Sequence, residues 1–166
     1  DKNSALYETL SQHGAMIRAG ATILESRLTM TLGVEVDVGH ESDLPVLPAL
    51  HPYFAVPHRG LYVYVGGAVV ASTNTGCGFS VPGGSLVLKR EGREVSVELR
   101  DVGMVHLDFL NRNACTHIVI WSDNPSQYVC VEPIFGTPGT FADEKGQWLK
   151  PGTDDSWGVG FLFEPA

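Results

Sequence analysis

Two residues of this chain stand in surroundings that could support acid–base chemistry. His51 lies in the segment LPALHPYFAVP, where prolines restrict the backbone on both sides of the imidazole. Glu132 ends an apolar run in the segment QYVCVEPIFGTPG and directly precedes a proline. Burial at a strand end would raise the pKa of this carboxyl group toward the working range of a general base. The two residues therefore predict a proton-transfer site, and a packing corner in which His51 satisfies a buried hydrogen bond is the alternative.

The histidines do not indicate a metal site. The H-x-H and H-x-x-x-H spacings bring two imidazoles to one face of a strand or a helix. Neither spacing occurs among His51, His58, His106 and His117. We therefore expect these histidines to lie on the surface or to be packed in the fold, and we expect no bound metal.

Cysteine usage favours a reducing environment. The chain contains three cysteines, an odd number, and no C-x-x-C pair. Cys77, Cys115 and Cys130 are therefore expected to be buried free thiols. The N-terminus also lacks the basic and apolar regions of a signal peptide, so we expect a cytoplasmic protein.

Composition excludes two classes of partner. The 166 residues carry a formal net charge of −8, and a nucleic-acid partner would require a basic face. The apolar fraction is 43%, and no apolar run approaches the roughly 18 residues that would span a bilayer. We therefore expect a soluble globular protein without a nucleic-acid or membrane partner.

Most of the chain alternates with the period of a β-strand. Apolar and polar residues alternate over Arg27 to Val38, Val95 to Arg100 and Val105 to Phe109, as half-buried strands require. Short continuous apolar runs at Leu61 to Val65, His117 to Trp121 and Gln127 to Val131 predict central strands.

Glycines and prolines separate these strands and predict turns. The turn segments are VGG, TGCG, VPGG, GTPG and KPG. The one helical candidate is Ala5 to Ile17. Many short strands with little room for a helix predict an all-β fold, a large antiparallel β-sandwich formed as a single domain over residues 1–166.

The order of the motifs resembles that of the aldose 1-epimerase (galactose mutarotase-like) family. LHPYF is followed after about eighty residues by VCVEP, then by a Gly/Pro-rich turn, by LKPG and by a closing aromatic strand. The resemblance runs from about Arg27 to Phe163 and implies a β-supersandwich with a sugar-binding cleft. It also implies that His51 is the general acid and Glu132 the general base.

The implied reaction interconverts the two anomers of a sugar. A base removes the proton of the C1 hydroxyl while an acid protonates the ring oxygen, so the ring opens, rotates and closes again. This chemistry needs no metal or redox cofactor. We expect His51 and Glu132 to face one pocket, separated by about the width of a pyranose ring.

Other side chains are assigned weaker roles in a sugar site. Tyr53 and Trp148 are predicted to contact substrate, and a rim role is also plausible for Trp157. Trp121 is expected in the core. Asp108 is assigned to a solvated strand face.

Three functions stay open. The first is an epimerase that acts on a free hexose, and the second is the same reaction on a hexose phosphate. A phosphate would require a basic pocket, but Lys89, Arg90 and Arg93 are expected at an exposed hairpin rim. The third is a carbohydrate-binding module without activity.

The resemblance also implies an incomplete domain. The family carries further sugar-binding groups in an N-terminal half, and this chain begins near the middle of the usual domain. A sandwich truncated in this way would leave apolar faces and strand edges open. We therefore expect a homodimer or association with a separate N-terminal segment, besides a monosaccharide substrate.

Overall fold

The computed structural model describes residues 4–12, 14–74, 78–79, 85–110, 115–136 and 147–166. These residues form fifteen strands in three sheets, and every strand pairing is antiparallel. The predicted all-β fold with antiparallel sheets is confirmed.

The largest sheet has nine strands in the order β1-β2-β3-β15-β11-β10-β6-β7-β8. In chain order they are β1 (Ser4–Gln12), β2 (Ala15–Leu24), β3 (Arg27–Val36), β6 (Leu61–Val65), β7 (Ala68–Asn74), β8 (Gly78–Phe79), β10 (Val95–Leu99), β11 (Gly103–Phe109) and β15 (Asp154–Pro165). A four-stranded sheet has the order β5-β13-β12-β9, formed by β5 (Tyr53–Ala55), β9 (Ser85–Lys89), β12 (His117–Trp121) and β13 (Tyr128–Ile134). A two-stranded sheet joins β4 (Leu44–Val46) to β14 (Gln147–Leu149).

The core lies between the nine-stranded and four-stranded sheets. Every second residue of β6 and β12 is buried, as expected for strands with one face in the core. The rings of Phe54 in β5 and Phe161 in β15 meet edge to face at 6.0 Å and join the two sheets. The four-stranded sheet therefore has one face in the core and a second, outer face.

The predicted strands are found at the expected places. β3 covers the alternating segment from Arg27 but ends at Val36, and Val38 is 88% exposed. β6, β12 and β13 each have a neighbour on both sides, as predicted for the continuous apolar runs. The hairpin between β6 and β7 turns at Gly66 and Gly67, both with positive φ, which confirms the VGG turn. The TGCG, VPGG and GTPG segments lie largely outside the described residues.

The predicted helix at Ala5 to Ile17 is wrong. Strands β1 and β2 occupy this segment and pair from Ser4↔Ile23 to Gln12↔Ala15. β2 continues the sheet beside β3 over ten residue pairs, and this long ladder outweighs the helix propensity of Ala, Leu and Glu. The described part of the chain contains no helix long and apolar enough to cross a membrane.

The prediction of an exposed rim is wrong for Arg90. Its side chain is buried, Nε donates a hydrogen bond to the carbonyl of Cys115 at 2.9 Å, and the guanidinium lies 4.3 Å from the ring centre of Phe109. The carbonyl and the aromatic face replace water around this cation. Lys89 and Arg93 do not share that burial.

The expected association with another polypeptide stays a prediction. An apolar cleft of about 370 Å³ lies between β5 and the nine-stranded sheet, lined among others by Leu28, Phe54 and Phe163. Because such surface is costly to leave in water, we expect a mass above the 17.9 kDa of one chain in size-exclusion chromatography with light scattering. A single-chain mass at all concentrations tested would contradict this expectation.

Candidate active site

The segment that carries His51 runs beside β13 as an irregular extension of β5. The backbone N–H of Leu50 donates to the carbonyl of Pro133 at 3.1 Å, and that of Val131 donates to Pro52 at 3.4 Å. Prolines 52 and 133 have no N–H, so each can only accept in this ladder. The segment is therefore tied to the sheet on both sides of the histidine.

Strand register places His51 directly opposite Glu132. Tyr53 pairs with Cys130, and an isolated bridge pairs Ala49 with Ile134. The residues halfway between these two pairs are His51 and Glu132. Neither is part of the flanking backbone hydrogen bonds, and at such positions side chains on neighbouring antiparallel strands come closest.

The two side chains are in direct contact. Nε2 of His51 lies 2.9 Å from Oε1 of Glu132, and the side chains are 48% and 16% exposed. Burial raises the pKa of Glu132, and the nearby His51 lowers it in part. The result is a mostly buried carboxylate that meets a half-exposed imidazole.

The structure brings His51 and Glu132 together, but the expected separation is wrong, and the expectation of a shared pocket stays a prediction. We expected the width of a pyranose ring, whereas their polar atoms lie within hydrogen-bond distance. The difference arises because the extension of β5 keeps the antiparallel register as far as Ala49.

A group of three aromatic side chains lies beside the imidazole on the outer face of the four-stranded sheet. The ring of Tyr53 lies 4.8 Å from that of His51, and Trp121 meets His51 edge-on at 6.0 Å. Tyr128 closes the group, 5.1 Å from Tyr53 and 6.3 Å from Trp121. The hydroxyl of Tyr128 donates to Asp123, a bond that raises the pKa of Tyr128 to about 12. We call Tyr53, Trp121 and Tyr128 the aromatic platform.

Cys130 lies on the same outer face, between Tyr128 and Glu132 along β13. Its side chain is fully buried, and burial raises the pKa of the thiol to about 11. Cys130 and Cys115 are both buried free thiols, as predicted, whereas Cys77 lies outside the described residues.

The tryptophan predictions have different outcomes. Trp121, expected in the core, is half-buried on the outer face beside His51. Trp157, expected in a polar loop, lies in β15 and is buried, so its proposed rim role is wrong. Trp148 lies in β14 opposite Pro45 and is 41% exposed. Substrate contacts by Trp148 and Tyr53 stay predictions.

Asp108 forms an ion pair on the strand face to which it was assigned. Its Oδ2 lies 2.7 Å from the guanidinium of Arg27, and both side chains are more than one third exposed. An exposed pair of this kind contributes about 0–1 kcal/mol to stability. Nothing in this contact connects Asp108 to His51.

Sequence reasoning missed Trp121, Tyr128 and Cys130 as neighbours of the His51–Glu132 pair. Alternation in YVCVEP does place Tyr128 and Cys130 on the face of Glu132. The location of Trp121 depends on its pairing with Cys130 across β12 and β13, which local pattern does not reveal.

Comparisons with known proteins define the class of fold. No protein-family model and no curated protein matches the chain. It superposes on a proposed aldose 1-epimerase from Escherichia coli K12 with a TM-score of 0.71 and 14% identity, covering 100% of this chain and 66% of that one. A galactose mutarotase-like protein from Lactobacillus casei ATCC 334 gives a TM-score of 0.71 and 13% identity, and the match covers 99% of this chain and 70% of that one. A galactose mutarotase related enzyme from Lactobacillus acidophilus gives a TM-score of 0.68 and 13% identity, and the match covers 98% of this chain and 68% of that one.

These similarities confirm the resemblance at the level of the fold. The chain is a galactose mutarotase-like β-sandwich. It spans about two thirds of the length of the E. coli structure.

Proposed function

We propose that this protein interconverts the anomers of a free aldose by acid–base catalysis. The observation that supports the proposal is the 2.9 Å contact between His51 and Glu132 on an exposed sheet face. In this assignment Glu132 removes the C1 hydroxyl proton and protonated His51 donates to the ring oxygen. Ring closure on the other face of the aldehyde reverses the two roles.

The closeness of the two side chains suits this reaction. Both reacting oxygens of an aldose are bonded to the same carbon, C1. The acid and the base therefore need to reach two oxygens that lie close together. A pair already in contact can open by a small movement and admit the two oxygens between its polar atoms. The mostly buried position of Glu132 would then hold the base in place, while the half-exposed imidazole exchanges protons with solvent.

The aromatic platform favours a neutral sugar as substrate. Aromatic faces pack against the C–H bonds of a sugar ring, and Tyr53 and Trp121 contact the imidazole while Tyr128 contacts Tyr53. A hexose phosphate would instead need cations, whereas the described side chains beside the pair are aromatic rings and the Cys130 thiol. Arg90, a candidate for such a cation in the sequence, is buried against Phe109.

Anomer exchange tests the proposal. A pure anomer of glucose or galactose is added to the protein, and the approach to equilibrium is followed by polarimetry or by NMR of the C1 proton. We expect exchange above the spontaneous rate, in proportion to protein concentration. Sugar binding without faster exchange would favour the binding module, and acceleration limited to a phosphorylated hexose would favour the second alternative.

Replacing Trp121 with alanine is expected to weaken sugar binding more than chemistry. Loss of one aromatic surface should raise KM about fivefold, since a ring contact contributes on the order of 1 kcal/mol, and kcat should change less. Steady-state exchange rates at several sugar concentrations give both constants. Trp148→Ala is the matched comparison, because Trp148 is an exposed tryptophan on a different sheet. A larger KM change for Trp148→Ala would move the sugar site toward β14.

A further inference from the structure

We propose that His51, Cys130 and Glu132 form a binding site for a divalent metal ion that accepts thiolate ligands, such as Zn²⁺. An imidazole nitrogen, the Cys130 sulfur and a Glu132 carboxylate oxygen all lie within 4.8 Å of one another. Sequence spacing gave no indication of such a site, because the histidine is about eighty residues from the other two donors. Strand pairing brings the three together.

The backbone holds the donors at fixed positions. Cys130 and Glu132 are two residues apart on β13 and therefore project from the same face of the strand. His51 lies across from Glu132, next to the pairing of Tyr53 with Cys130. The three side chains thus converge from two adjacent strands, with the thiol buried beneath the more exposed imidazole.

The distances are close to those of a tetrahedral zinc site. With Zn–N and Zn–O bonds near 2.0–2.1 Å and Zn–S near 2.3 Å, tetrahedral ligand atoms lie roughly 3.3–3.6 Å apart. Donors already within 4.8 Å of one another reach that spacing by side-chain rotation, with the metal placed between them. Three protein ligands leave a fourth position for water.

The donor chemistry selects the kind of ion. Sulfur and imidazole favour Zn²⁺ or Co²⁺ over Mg²⁺ and Ca²⁺, which prefer all-oxygen sites. On binding, the thiol of Cys130 loses its proton to solvent, and the resulting thiolate and the Glu132 carboxylate balance the two positive charges. The imidazole binds in its neutral form.

Metal binding would also affect the proposed reaction. Where the proposed function holds, the ion occupies the lone pairs through which His51 and Glu132 transfer protons, so the metal-loaded protein should not exchange anomers. This consequence rests on the proposed function, whereas binding of the metal does not. The two can therefore be measured separately.

Cobalt titration tests the site. The full chain, kept reduced with a phosphine, is titrated with Co²⁺ alone and followed by absorbance. We expect one equivalent to bind, with a thiolate-to-cobalt charge-transfer band in the near ultraviolet and visible bands of a tetrahedral ion. Zn²⁺ should remove both sets of bands. Absence of a charge-transfer band, or binding only at adventitious surface histidines, would overturn the proposal.

Variants assign the ligands. Cys130→Ser should abolish the charge-transfer band, whereas the same change at Cys115 or Cys77 should leave it intact. His51→Asn should keep the band but weaken binding about tenfold or more, since loss of even an orienting residue costs 10–100-fold in affinity. His106→Asn is the matched control, because His106 lies 3.5 Å from Glu164 in a second His–Glu pair. An unchanged band in Cys130→Ser would exclude the site.

Further measurements separate the metal site from loss of folding and from the proposed function. If Cys130→Ser fails to fold by circular dichroism, His51→Asn and Glu132→Gln still decide, because both must weaken binding while His106→Asn does not. A wild-type chain that exchanges anomers without binding Co²⁺ would refute the metal site alone. One that binds Co²⁺ without exchanging anomers would refute the proposed function alone.

Discussion

Replacing Glu132 with glutamine is expected to lower the turnover of anomer exchange by about 10²–10⁴-fold, the usual contribution of a positioned general base. The amide keeps the size and the hydrogen-bonding shape of the carboxylate but cannot accept the C1 hydroxyl proton. The contact with Nε2 of His51 can persist through the amide oxygen, so the site should keep its shape. KM should therefore change much less than kcat.

Glu164→Gln provides the matched control. Glu164 also contacts a histidine, His106, at 3.5 Å, but its side chain is 64% exposed and lies near the C-terminal end of β15 in the nine-stranded sheet. The same chemical change at this exposed pair should leave exchange within twofold of the wild type. Equal turnover in the wild type and the Glu132→Gln variant would exclude Glu132 as the base. Equal losses in both variants would indicate a general effect of charge.

His51 and Glu132 could be singled out from the sequence because each lies in a short segment with a recognisable pattern. LHPYF and VCVEP identify His51 and Glu132 without knowledge of the fold, and alternation in the second segment places Glu132 on one face of a strand. The prolines that flank both residues indicated a restrained backbone, and the observed ladder shows how that restraint is achieved. Local pattern was enough for these features because each depends on neighbours in sequence.

Features that depend on pairing between distant strands could not be predicted in the same way. The 2.9 Å contact depends on a register that extends from Tyr53↔Cys130 to Ala49↔Ile134, and no local pattern encodes that alignment. Trp121 and Trp157 were misassigned for a related reason. An aromatic residue at a strand position is buried or exposed according to which sheet faces it, and the sheet order is a property of the whole chain.

The two proposals place two kinds of chemistry on the outer face of the four-stranded sheet. In the first, His51 and Glu132 exchange protons only while their lone pairs are free, and in the second the same donors bind a metal ion together with Cys130. Stability of this face depends on the opposite side of the same strands, where apolar residues pack against the nine-stranded sheet. A substitution in the core can consequently be made without changing the side chains of the candidate site.

Truncating Ile120 to alanine is expected to reduce the free energy of unfolding by about 2–5 kcal/mol, the range for a large aliphatic side chain removed from a core. Ile120 is fully buried in β12 and pairs with Val131 on one side and Leu86 on the other. The loss combines apolar surface that is no longer buried with a cavity that close-packed neighbours cannot fill. Chemical denaturation monitored by tryptophan fluorescence measures the change.

Val87→Ala is the control for position within the same sheet. Val87 lies on β9 and is 55% exposed, so its truncation should change the unfolding free energy by no more than about 0.5 kcal/mol. Ile120 projects to the side opposite Trp121, and the folded Ile120→Ala protein should therefore keep the aromatic platform and its rate of anomer exchange at low temperature. Equal destabilisation by the two variants would contradict the packing of β12 against the core, because an exposed valine and a buried isoleucine would then bury the same apolar surface.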